Sequence, residues 1–148
     1  MDMLKIHVVG LGKKNMSEGW PHHNLDVASA MEKYRGELDT IGNTSRIEFS
    51  GYDIPQTEGE LMQLLDTLEK ESADGILAIS LTAEFSSLGP SIFKIADSGL
   101  PVIAYTKPFS TYWDGSGKLY DSEYKVEVCD SARIEDIVPI LDAIRAVS

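Results

Sequence analysis

A single cysteine, Cys129, leaves this chain unable to close a disulfide within itself, and no CxxC or Cys/His ligand spacing surrounds it. Basic residues are also scarce: 13 Lys and Arg stand against 24 Asp and Glu, a formal net charge of −11 over 148 residues. That deficit argues against nucleic acid, whose phosphates are met by clustered cations, and against docking on an anionic membrane. No apolar run approaches the roughly 20 residues of a membrane span. The opening ten residues hold Lys5 and His7 and lack a small-residue cleavage site, so no signal peptide is read there. Internal repeats, low-complexity tracts and a dividing linker are likewise missing. The expectation is one domain over residues 1–148, cytoplasmic and in a reducing compartment.

What is present is ordinary globular material, 43% hydrophobic and 25% charged, enough for a packed core. Residues 4–9 (LKIHVV) form a short apolar strand ended by Gly10-Leu11-Gly12. A long loop, residues 13–24, leads to a helix that starts near Asn24 or Asp26 and is expected to end at Gly36. Residues 46–54 alternate Ile47 and Phe49 with Arg46 and Glu48, the pattern of a half-buried edge strand. Pro55 stops it, Thr57 and Glu60 have capping-box spacing, and Leu61, Leu64, Leu65 and Leu68 recur at helical period toward Glu71. Residues 75–81 (GILAISL) read as a strand covered on both faces. A helix through Ile92 to Ala96 follows, then a strand over 100–105, an aromatic-rich loop over 106–120, a fifth strand over 124–129, and a last helix over 133–147. Pro139 makes the start of that helix uncertain.

Strands alternating with helices imply parallel pairing, because a parallel pair needs a crossover connection. The simplest arrangement is α/β: a single-domain, three-layer, doubly wound, five-stranded parallel sheet of order 2-1-3-4-5, flavodoxin-like. In such a sheet ligands occupy the crevice at the carboxyl ends of the strands, where the winding reverses. Three loops reach it, and the candidate ligand contacts on them are Lys13, Asn15, His22, Thr82, Ser86, Lys107 and Trp113. Tyr112, Trp113 and Asp114 combine flat apolar faces with a carboxylate, which suits the C–H faces and hydroxyls of a sugar. Gly10-x-Gly12 is not a dinucleotide fingerprint, since the third glycine position holds Asn15. Lys107-Pro108 matches the Lys-Pro pair of response-regulator receiver domains, but the acidic residues of that pattern are missing. His22-His23 alone do not make a metal site, and Cys129 has no evident base for nucleophilic work.

The stretch over 73–109 (ADGILAISLTAEFSSLGPSIFKIADSGLPVIAYTKPF) resembles the amino-terminal region of the L-fucose and L-arabinose isomerase superfamily. Asp74-Gly75 opens an apolar strand, a loop with Thr82, Phe85 and Ser86 follows, and Pro101 begins the next strand. In that family Thr, Phe and Ser are contiguous, whereas Ala83-Glu84 intervene here. The resemblance implies a sugar-binding domain of an aldose–ketose isomerase, in which this domain helps enclose the sugar, often across a subunit interface. The expected ligand is thus a monosaccharide or sugar phosphate, and a homo-oligomer is an expected assembly. It also implies manganese only where catalytic domains are supplied elsewhere, with no cofactor in this chain itself, in which no complete catalytic site is visible. Two other classes stay open: a regulatory or protein-interaction module whose acidic surface docks on a basic partner, and a small enzyme using Lys107 or His22 as acid or base.

Overall fold

Strand β1 (Leu4–Leu11) shows how the core is divided, because successive side chains of a strand point to opposite faces of a sheet. Leu4, Ile6 and Val8 enter one apolar cluster, while Val9 and Leu11 enter another. The same parity splits the next central strands. In β3 (Gly75–Ser80) Leu77 and Ile79 oppose Ile76 and Ala78, and in β4 (Val102–Thr106) Ile103 and Tyr105 oppose Val102 and Ala104. The computed structural model describes residues 3–11, 27–81, 94–95, 97–106, 126–130 and 133–147.

With β2 (Ile47–Asp53) and β5 (Val126–Asp130), the described strands form one sheet of order β2-β1-β3-β4-β5, with every neighbouring pair parallel. Helix α1 (Val27–Ser45) covers one face through Met31, Leu38 and Ile41. The same face takes Ile134 and Ile137 of a 3₁₀ turn (Ile134–Ile137), and Leu141 and Ile144 of α3 (Val138–Val147). Helix α2 (Glu58–Glu71) covers the other face with Leu61, Leu64 and Leu68, joined by Ile95. Each such leucine contributes about 1.5–3 kcal/mol of transfer free energy. The α/β class with its parallel sheet is as the sequence pattern implies. No described helix is long and apolar enough to cross a membrane.

Two helix boundaries are physically informative. Helix α1 runs through Gly36 to Ser45 rather than ending at the glycine, because Leu38 and Ile41 beyond it continue the buried stripe. Packing of an apolar face outweighs the loss of propensity from one exposed glycine. The helix stops instead at Arg46, whose φ of 57° is left-handed. Arg145 Nη2 donates to the carbonyls of Ser45 and Arg46 at 2.7 and 2.9 Å, satisfying acceptors that the helix leaves open. At the head of α2 the Glu60 N–H donates to Thr57 Oγ1 at 3.1 Å, and the Glu60 carboxylate accepts from the Gln56 N–H at 2.8 Å. Pro139 falls in the first turn of α3, where its missing N–H is not needed.

Strand β2 carries a bulge that changes its parity. The register pairs Val8 with Gly51 but Val9 with Asp53, so Tyr52 is an extra residue. Gly51 and Tyr52 both have positive φ, 92° and 61°. Before the bulge Ile47 and Phe49 face α1. After it the Tyr52 ring is also on the α1 face, under the Arg35 guanidinium at 4.8 Å, and Asp53 turns to the α2 face.

Two glycine substitutions separate conformation from packing. A Cβ at Gly51 would lie 2.2 Å from His7 Nε2 on top of the positive φ, whereas one at Gly36 meets nothing within 4 Å. Gly51→Ala is expected to lower unfolding free energy by roughly 2–4 kcal/mol, from strain together with displacement of the imidazole. Gly36→Ala should raise it by about 0.5–1 kcal/mol. Urea denaturation of both variants checks the opposite signs.

Candidate functional site

The carboxyl edge of the sheet is where the strands release their loops, and the candidates Lys13, Asn15, His22, Thr82, Ser86, Lys107 and Trp113 all lie outside the described residues. So do Tyr112, Asp114 and Glu84. At the end of β2 that edge holds a cavity of about 560 Å³. Helix α1 lines it with Met31 and Glu32, the chain leaving β2 with Tyr52, Asp53 and Ile54, and α2 with Glu60, Gln63 and Thr67.

Gly10 explains why these elements meet there. A Cβ on it would sit 2.8 Å from Leu81 Cδ1, 3.0 Å from Met31 Cε and 3.2 Å from Ile54 Cγ1. Absence of a side chain at the end of β1 thus lets α1, the exit of β2 and the exit of β3 close over that strand. Gly10 is a packing residue.

Among the described residues the lining contains three carboxylates, Glu32, Asp53 and Glu60, the Gln63 amide and the Thr67 hydroxyl, and no cationic side chain. The Tyr52 hydroxyl is buried without a hydrogen-bond partner. Burial, with Asp39 and Glu32 nearby and Arg35 acting in the opposite sense, pushes its pKa up to about 12. The phenol is therefore a neutral donor at any physiological pH. Asp53 is held from the side by His7 Nε2 at 2.8 Å, which uses one of its acceptor sites and leaves the others open. The arrangement can accept hydrogen bonds from a ligand's hydroxyls at several points, and the Gln63 amide can donate in return. A phosphate or carboxylate placed there would meet the repulsion of these three carboxylates.

Among the described residues no group of three or more His, Cys, Asp or Glu side chains is placed to hold a metal ion. Cys129 is buried in the α1-face core, 8% exposed, as the strand pattern suggests for an inert thiol.

Fold and site together define an α/β domain with a polar cavity at the carboxyl edge of a parallel sheet. No protein-family model matches the chain, and no curated protein matches it. Among solved structures it is similar to a 3-dehydroquinate dehydratase-like protein from Bifidobacterium longum, with 14% identity, 98% of each chain covered and a TM-score of 0.52. At that identity the likeness shows the fold alone. That neighbour is described as dehydratase-like, outside the sugar isomerases.

The described site residues were not singled out by motif. Tyr52 and Asp53 read as the tail of an edge strand, and His7 as one polar residue in an apolar run. The available signals were Gly51 inside a strand, which marks a bulge or a close approach, and a titratable ring in a strand covered on both faces.

Alkaline titration tests the burial. Tyr34 and Tyr52 are both raised to about 12, mainly by burial, and Tyr105, fully buried with its ring 6.0 Å from that of Tyr34, is raised further. Unfolded tyrosine ionises near 10. Between pH 10 and 12 the folded state therefore binds more protons than the unfolded, and stability falls as pH rises. Urea midpoints are expected to be constant just below pH 10 as far as tyrosine is concerned and to drop through that window. Tyr52→Phe should reduce the drop without lowering stability at neutral pH, since the hydroxyl has no partner to lose.

Proposed function

We propose that the chain is a small-molecule-binding domain of flavodoxin-like, doubly wound architecture whose ligand is a polyhydroxylated molecule of monosaccharide size, bound at the carboxyl edge of the sheet. The single observation that carries this reading is the lining of the β2-end cavity: three carboxylates, Gln63 and Thr67, with no cation among the described lining residues. Carboxylates accept from sugar hydroxyls, and about 560 Å³ is within the range of small-ligand pockets. Of the two expected ligand forms, the cavity favours a neutral monosaccharide over a sugar phosphate. A phosphate would call on Lys13 or Lys107. Thr82, Ser86, Asn15, His22 and Trp113 are proposed as the loop contacts that complete the site. The kinship with aldose–ketose isomerases belongs to the same proposal, and no step of it runs through manganese. A reducing cytoplasm suits the single thiol.

A second reading follows from the structural neighbour, which is named for a dehydratase. Loss of water from a hydroxylated substrate needs a base and a donor to the departing hydroxyl. In this reading a carboxylate of Asp53 or Glu32 would serve as the base.

One experiment separates the two. Isothermal titration with neutral aldoses and ketoses, and with their phosphate esters, is expected to give heat for a neutral sugar and to lose it in Asp53→Asn by about tenfold in affinity. Heat from none of the neutral sugars at millimolar concentration would overturn the first reading. Incubation with 3-dehydroquinate, a carboxylate whose turnover would also count against the charge argument for a neutral ligand, followed by mass spectrometry, decides the second: a product lighter by one water supports it, and unchanged substrate removes it.

A further inference from the structure

We propose that His7 is a proton-operated clamp: a proton taken up at Nδ1 turns the ring into an imidazolium that ties the Glu71 carboxylate of α2 to the Asp53 carboxylate of β2. Strand, helix and ring meet at a cleft of about 460 Å³ on the α2 face of the β1–β2 pair. Nothing in the clamp depends on what the β2-end cavity binds.

His7 is 5% exposed and is the buried polar residue of the described core. Its Nε2 lies 2.8 Å from Asp53 Oδ2. A carboxylate only accepts, so Nε2 carries the hydrogen and, in the neutral ring, Nδ1 keeps a lone pair. That nitrogen has no hydrogen-bond partner and under 1 Å² of accessible surface, too little for a water or a ligand atom to reach it. Glu71 Oε2 stands 3.8 Å away. In the neutral ring two acceptors therefore face one another, and the buried one goes unsatisfied at a cost. The species small enough to satisfy Nδ1 in place is a proton. Once protonated, the nitrogen faces a carboxylate already within ion-pair distance, and an approach of about 1 Å completes a charge-assisted hydrogen bond of roughly 2.7–2.9 Å. The half-exposed Glu71 side chain has room for that movement.

Among the described residues, the titratable and charged groups that share the cleft with the ring are Lys5 on β1, Glu48 and Asp53 on β2, and Glu71, the last residue of α2. Asp74, just before β3, accepts from the Lys5 N–H at 2.8 Å, and β3 itself pairs the apolar Ile76 with His7. Burial resists a charge on the ring. Two carboxylates, one beside each nitrogen, and the negative end of the α2 dipole offset that resistance, while Lys5 adds to it. Imidazole ordinarily changes charge between about pH 5 and 8, where carboxylates are ionised. Across that range the clamp would hold the bulged end of β2 against the end of α2 when charged and release Glu71 when neutral. Asp53, which lines both cavities, would then have a cation or a neutral ring at its back.

NMR of the full chain, following the His7 ring nitrogens and the Glu71 amide from about pH 8 to pH 5, reads the clamp directly. Nδ1 is expected to be the nitrogen that takes up the proton, and the Glu71 amide to titrate with the same midpoint as the ring. In Glu71→Gln the His7 midpoint is expected to fall by about one pH unit. Glu69→Gln removes the same charge from the same helix outside the cleft and should move the midpoint far less. Both residues are exposed on α2, so neither variant touches the core. Four results would overturn the proposal: a ring that stays neutral down to pH 5, protonation at Nε2 with Nδ1 already carrying hydrogen, a Glu71 amide that does not follow the ring, or equal displacement of the midpoint by the two variants.

Discussion

A histidine in a strand covered on both faces has to find its hydrogen-bond partners inside the fold, and His7 reaches Asp53 only because β2 contains one residue too many. Without the bulge at Gly51 and Tyr52, alternation would put Tyr52 on the α2 face and Asp53 on the α1 face. The extra residue exchanges them. It buries the tyrosine ring beneath Arg35 in the larger core cluster and brings a carboxylate to the imidazole. Gly51 is what makes the bulge compatible with the ring, through its positive φ and its missing side chain. Leaving His7 without that carboxylate would expose the fold to the penalty of a buried unsatisfied polar group, about 1–3 kcal/mol.

The same exchange places Asp53 between two clefts. One lies at the carboxyl edge, between α1 and α2, and the other lies on the α2 face beside the edge strand. A carboxylate has about four acceptor positions, and His7 occupies one. The residue is held by one neighbour while its remaining capacity is open to solvent or ligand, since its side chain is half-exposed. Fixing a polar group from behind and leaving its front free is how rigid elements prepare a binding site.

Much of the architecture was legible because apolar period is a direct consequence of burial. Ile76, Leu77, Ala78 and Ile79 are all fully buried, and an unbroken apolar run is what a strand covered on both faces must show. Thr57 and Glu60 announced the start of α2 because capping needs an acceptor and a carboxylate at fixed spacing. Gly36 misled because local propensity disfavours glycine in a helix by only about 1 kcal/mol, less than the burial of Leu38 and Ile41 returns. The bulge was illegible for a different reason. Hydrophobic alternation records which face a residue takes, but Ser50-Gly51-Tyr52-Asp53 is polar or ambivalent at every position, so a change of parity leaves no trace in it. The site residues on the three loops came from the general location of ligands in open sheets, whereas Tyr52, Asp53 and His7 needed the register.

Charge sets the limits on what either cleft can accept. Coulomb repulsion between two unit charges about 4 Å apart is roughly 4 kcal/mol near a protein surface. An anion entering the β2-end cavity would meet Glu32, Asp53 and Glu60 with no lining cation to offset them. A neutral polyol would avoid that penalty. Since Asp53 lines both clefts, neutralising it would reduce the negative charge of each and release His7 at once. Glu71 and Glu60 each act on one cleft, and substitutions at those two residues distinguish the sites without disturbing the bulge that builds them.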